Sequence, residues 1–219
     1  MGEKKKKGKD SIFYYTLGII VFVIAAIFLF PKLIHKEPTI KTIDDIIKDT
    51  LTDGESENTR IYNGFVFVRE GPIWYTQVRN PDTNNLYNFG VRFNPIQVEN
   101  ITIEGNVDES FRTGDVYITF EPYDDELAYI SLASTELSLN LARAMGVNVT
   151  AACMEEHPHC VNREIITCNN TDKPVIEIIN SDEAKLVMDG NCMRIQGREF
   201  ELLRVVDRVI FQAYGIMEK

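Results

Sequence analysis

The sequence predicts an N-terminal transmembrane helix followed by an exterior domain of α+β, or mixed α/β, class. Three observations predict it. Residues 12–30 are an uncharged run of Ile, Phe, Tyr, Leu, Val and Ala with one Thr and one Gly; residues 61–93 hold short β-branched and aromatic runs broken by turns; residues 116–214 mix strand patterns with two long helical ones. At about 1.5 Å per residue the first run makes a helix of roughly 28 Å, which matches the ~30 Å hydrocarbon layer of a bilayer crossed once.

Lys4, Lys5, Lys6, Lys7 and Lys9 precede this run, while Lys32, Lys36 and Lys41 follow it more sparsely. Short basic flanks stay cytoplasmic, so the tail 1–11 is expected inside and everything after Pro31 outside. A cleaved signal peptide has a shorter apolar core and small residues at its cleavage point. Here the run ends Leu29-Phe30-Pro31-Lys32, which favours an uncleaved signal-anchor. Lys7-Gly8 ahead of an apolar helix resembles the prepilin signals of type IV filament subunits. However, Lys9-Asp10-Ser11 intervene, and the acidic residue such subunits carry early in the mature chain is missing. The expected organisation is a tail (1–11), a span (12–30), a stalk with an amphipathic helix (31–59) and the exterior domain (60–219).

Beyond residue 36 the chain carries 31 acidic and 16 basic residues, a net charge of −15. Such a surface repels nucleic acid and suits solubility outside a cell. Ile40, Ile43, Ile46, Ile47 and Leu51 recur at helical spacing, and the polar stretch 52–59 then marks the expected edge of the folded unit. Strands are expected at 61–68, 73–79 and 86–93, with Trp74 packed in the core.

Val116, Ile118 and Phe120 mark a further strand. Asp124 and Asp125 are expected to cap a helix that runs to Met145 and stops at Gly146, burying Leu127, Ile130, Leu137, Leu141 and Ala144. A strand at 147–152 makes a strand-helix-strand unit whose strands are parallel if they share a sheet. Strands at 164–168, 174–179, 185–188 and 192–196 follow. A last helix spans 198–214, with Phe200, Leu203, Val206, Ile210 and Ala213 inward and Gly215 as its stop. Arg204, Asp207 and Arg208 could form a catalytic trio, but on the far face of an amphipathic helix they are expected to be solvated.

Cys153, Cys160, Cys168 and Cys192 are an even set in a segment expected outside the cytoplasm, so two disulfides are expected. The preferred pairing is Cys153 with Cys160 and Cys168 with Cys192. The competing reading is a zinc site at Cys153, His157, His159 and Cys160, although zinc motifs normally separate their ligand pairs by a dozen or more residues. Asn100, Asn148 and Asn169 each open an Asn-x-Thr glycosylation triplet.

No Gly-x-Gly-x-x-Gly, Walker lysine loop, Gly-x-Ser-x-Gly or His-Glu-x-x-His occurs. The third histidine, His35, adjoins the span. Glu121, Asp124, Asp125 and Glu126 could act as the paired carboxylates of a glycosidase, but helix capping explains them more simply. No catalytic residue, cofactor or metal is assigned.

Ala151-Ala152-Cys153, Arg163-Glu164-Ile165-Ile166-Thr167-Cys168, Lys173-Pro174-Val175-Ile176, Asp189-Gly190-Asn191-Cys192 and the stretch from Asp207-Arg208 to Tyr214-Gly215-Ile216-Met217 together resemble a group of uncharacterised membrane-anchored proteins of archaea. The resemblance covers about seventy residues of the chain. It implies an anchored, disulfide-bonded exterior domain and no particular activity. The expected function is therefore binding or assembly in the cell envelope. The bilayer is the partner of residues 12–30, other envelope proteins are candidate partners, and nucleic acid is not one. The alternatives are an anchored hydrolase of surface polymers and a pilin-like filament subunit.

Overall fold

Asn63 and Gly64 break what the sequence presents as one strand over 61–68. Both take positive φ, 46° and 82°, the left-handed pair of a two-residue hairpin turn, and Asn-Gly adopts that pair readily. The chain reverses there. β1 (Thr59–Tyr62) and β2 (Phe65–Glu70) are antiparallel neighbours, with Ile61 opposite Val66. β3 (Ile73–Arg79) and β4 (Leu86–Val91) follow close to their expected places and complete an antiparallel sheet in the order β1-β2-β3-β4.

The computed structural model describes residues 14–15, 17–25, 41–79, 84–106, 108–112, 114–123 and 125–218. The chain divides into residues 1–41 and 42–219. In the first unit the described residues 14, 15 and 17–25 are helical, and their large apolar side chains are exposed. No helix among the described residues is long and apolar enough to cross a membrane. The expected span at 12–30 lies partly outside those residues, and the basic tail and His35 lie wholly outside them.

The second unit is mixed α/β. It begins at Thr42 rather than near residue 60, so the expected stalk helix belongs to it. That helix, α1 (Ile43–Asp53), opens with a reciprocal cap: Thr42 Oγ1 accepts from Asp45 N–H at 3.2 Å, and Asp45 Oδ2 accepts from Thr42 N–H at 3.0 Å. It packs on β2.

The second sheet has six strands: β5 (Thr102–Gly105), β6 (Asp115–Phe120), β7 (Asn148–Ala151), β8 (Val175–Asn180), β9 (Lys185–Asp189) and β10 (Cys192–Gly197). Their order is β5-β9-β10-β8-β6-β7. Only β9 and β10 pair antiparallel. β6 and β7 are parallel neighbours joined through α2 (Leu127–Met145), as the strand-helix-strand reading requires. Glu126 rather than Asp125 holds the N-cap position of α2, and its own side chain makes no capping hydrogen bond; Asp124 lies outside the described residues. Gly146 ends α2 in the left-handed region, as expected. Ile130, Leu137 and Leu141 are buried, whereas Leu127 sits in the exposed first turn. No strand forms at 164–168. A single bridge links Ile165 to Cys153 there, in a segment otherwise held by turns and by the disulfide of Cys168.

The last helix, α3 (Glu199–Ala213), departs most from expectation. Every residue from Leu202 to Phe211 except Arg204 is buried, Asp207 and Arg208 included, at 0% and 4% exposure. The reason is its place in the layers. One side packs on β10; on the other, the Phe211 ring meets Phe67 of β2 edge-on at 5.5 Å. A helix between two sheets has no solvent face over its middle turns. Phe200, expected inward, is 58% exposed because it lies in the first turn, before the helix enters the core; there it meets Tyr129. Trp74 is buried in the same core, as expected.

The disulfides pair as expected: Cys153–Cys160 and Cys168–Cys192, with Cα–Cα distances of 6.2 and 5.2 Å. They close segments of different length, with sequence separations of 24 for the second and 7 for the first. Loop entropy then ranks them. Replacing Cys168 and Cys192 by Ser should lower the unfolding free energy by about 3 kcal/mol, and replacing Cys153 and Cys160 by about 2 kcal/mol. Urea unfolding of the two double variants checks the order.

Candidate functional site

A groove of about 340 Å3 runs between β4 and α2. β4 supplies residues from both its faces. Tyr87 and Phe89 stand opposite Val78 and Thr76 on the core side; Asn88 and Gly90 stand opposite Gln77 and Tyr75 on the other. A groove that touches both faces of a strand runs along the strand's edge. Gly90 is required there, since a Cβ on it would lie 2.8 Å from Ile73 Cγ2 and 3.0 Å from the Tyr75 ring. From α2 come Leu132, Glu136, Leu139 and Arg143. Tyr214, just past α3, donates its hydroxyl to Asn140 O at 2.7 Å and stacks on Phe89 with ring centroids 4.6 Å apart. Burial pushes its pKa up, so the phenol stays a donor.

At one end of the groove three elements meet over a pair of carboxyl groups. Asp207 Oδ2 accepts the backbone N–H groups of Arg92 and Phe93 at 2.9 and 2.8 Å, which ties the end of β4 to α3. Glu136 of α2 lies within hydrogen-bonding reach of Asp207 and pairs with Arg92 Nε at 3.3 Å. Asp207 Oδ1 is buried and makes no hydrogen bond, and buried Glu136 Oε2 meets Arg92 Nε as an ion pair without an aligned hydrogen bond. A proton on one of the two carboxyl groups gives the other a donor. Burial, and then the charge of Glu136, raise the pKa of Asp207 well above the carboxylate range, against the two N–H groups and Arg92. Burial raises that of Glu136 against Arg92. The two titrate as a unit and keep a proton where free carboxylates have lost theirs.

The residues singled out in the sequence lie elsewhere. Arg204 donates to Gln97 O, Asn100 Oδ1 and Glu201, so it ties α3 to the 95–100 segment and stands apart from Asp207 in role. Arg208 donates to Glu218 O, and burial lowers its pKa. Cys153 and Cys160 are bonded to each other, which removes the thiolates a zinc site would need. His157 meets Tyr123 edge-on and His159 at a tilt at the surface of that loop. The sulfurs of Cys168 and Cys192 lie within 4.8 Å of a Glu177 oxygen, but their own bond leaves that carboxylate without thiolate partners, and it already holds Arg194 at 3.0 Å. Glu121 and Asp125 are exposed. Of the glycosylation triplets, Asn148 uses its amide on Asp115 Oδ1 at 2.7 Å, Asn100 accepts from Arg204, and Asn169 is exposed in a turn.

Glu136, Arg92, Asn88, Gly90 and Arg143 were not singled out by spacing, because they come from distant segments. One signal was present: Asp207-Arg208 is flanked by Val205-Val206 and Val209-Ile210-Phe211, apolar on both sides, as in a helix buried all round.

The two raised pKa values set a pH dependence. Both folded pKa values lie above those of the unfolded chain, so the fold binds more protons than the unfolded chain does. This contribution is complete below about pH 4 and is lost as pH rises through the raised values. Asp207→Asn keeps an oxygen for the two N–H groups and offers an amide donor to Glu136. It should leave the fold intact and flatten the decline of stability as pH rises above about 4 in urea titrations. Asp207→Leu, which strands both N–H groups and Glu136, should cost about 3 kcal/mol. Comparison of the chain with protein-family models, curated proteins and solved structures finds no match.

Proposed function

We propose that the chain is a single-pass cell-envelope protein whose exterior domain binds or assembles with a partner through the groove beside β4. Anchoring is supported by the uncharged run at 12–30 behind a basic tail, by the helical state of its described residues and by the resemblance to membrane-anchored archaeal proteins. An exterior site is supported by two disulfides, which persist in oxidising compartments.

One observation carries binding over catalysis. Glu136, the only carboxyl among the described residues lining the groove, is tied to Arg92 and to the fully buried Asp207. A glycosidase needs two carboxyl groups that both reach the sugar from separated positions, and Asp207 has no exposed surface. The hydrolase reading keeps one point in its favour, the proton that the pair retains beside an open groove.

Two measurements test this. Protease added to intact cells should remove the domain after Pro31 and spare the tail; a protected domain would overturn the localisation. Glu136→Gln should leave the cellular role intact while deletion of residues 12–30 abolishes it. Loss of function in a folded Glu136→Gln variant that still retains its partner would make the hydrolase the better reading.

A further inference from the structure

The groove's long wall is an unusual edge. Each sheet has two outer strands: β1 and β4 in the first, β5 and β7 in the second. β4 is the longest of these at six residues against four for each of the others. Open edges are commonly blunted by charge, proline or shortness. β1 carries Arg60 and β5 carries Glu104, and β7 is short, whereas Leu86-Tyr87-Asn88-Phe89-Gly90-Val91 has neither charge nor proline.

The direction of the free backbone groups follows from Asp207. Arg92 N–H turns away from β3 to reach that carboxylate. Alternation along the strand then puts the amide and carbonyl groups of Gly90 and Asn88 on the same outer side. Among the described residues no strand pairs with that side, and no backbone hydrogen bond there involves those two residues. Two N–H and two C=O groups thus line a groove whose far wall is α2.

The far wall adds a charge. Arg92 is neutralised by Glu136, but Arg143 is exposed, lines the groove and has no ion pair among the described residues. The domain's net negative charge favours cations at long range, yet beyond a Debye length of about 8 Å that field is screened at physiological salt. Contact with Arg143 therefore decides the local preference, and a carboxylate suits its planar fork.

Resting on the groove-binding reading above, we propose that the outer edge of β4 accepts an extended polypeptide segment as a fifth strand, with an acidic side chain of that segment on Arg143. Asn88 and Gly90 supply the main-chain hydrogen bonds. Exposed Leu139 and the half-buried rings of Tyr75 and Tyr87 supply apolar contact for the alternate side chains.

The test uses the full chain in lipid nanodiscs with three probes: an octapeptide alternating Glu and Val, its Lys/Val counterpart, and polygalacturonate. The Glu/Val peptide should bind and slow amide hydrogen exchange at residues 88 and 90. Methylating the peptide's own amides at one alternate set of positions should abolish binding, while methylating the other set should not, a pattern that charge attraction alone does not produce. Arg143→Glu, an exposed change, should weaken binding roughly tenfold. Equal binding by the Lys/Val peptide, or indifference to methylation, overturns the inference. Protection of residues 88 and 90 by polygalacturonate alone overturns it while leaving the groove-binding reading standing. Binding by none of the three removes both.

Discussion

Asp207 is the point on which the two sheets agree. Its carboxyl group closes the backbone at the end of β4 and meets Glu136 of α2 from the middle of the helix that fills the space between the sheets. An acidic residue with no exposed surface is held there by two backbone N–H groups on Oδ2 and by a carboxyl pKa that burial raises, which favours the neutral form. Take that arrangement away and α3 becomes a poor filler, since its buried charge would have no compensation. The groove, the edge of β4 and the placement of α2 all depend on it.

The order of strands and helices was largely legible in the sequence. β3, β4, α2, β7 to β10 and α3 fall close to their expected places because each carries its own period and stop signal, such as Gly146 after α2. The cysteine pairing was legible too, because Cys153 and Cys160 are separated by a loop and little else. Local signals also explain two misses. Asn63-Gly64 is a strong turn signal with strand-forming residues on both sides, so composition alone joins 61–68 into one strand where the dipeptide reverses the chain. Residues 164–168 carry a strand-like composition but only one bridge, since pairing is a property of the neighbour as much as of the segment.

The candidate site was not legible. The far face of α3 was read as solvated because amphipathic helices usually lie on a domain's surface, and nothing local announces a second sheet. Glu136 sits between buried Ala133 and Leu137 on α2, and Arg92 follows β4. Each looks like an ordinary surface charge until the long-range topology brings the segments together.

The span of sequence between the two ends of that junction matters for how the protein is made. Arg92 and Asp207 are 115 residues apart, so at ordinary synthesis speeds the first sheet waits on the order of ten seconds for the helix that completes it. During that interval β4 has neither its terminal cap nor α3 beside it, and its uncharged edge is open to any extended chain nearby. Synthesis that stalls before α3 emerges leaves a sheet without a core, a species suited to chaperone capture or to aggregation rather than to a smaller stable domain.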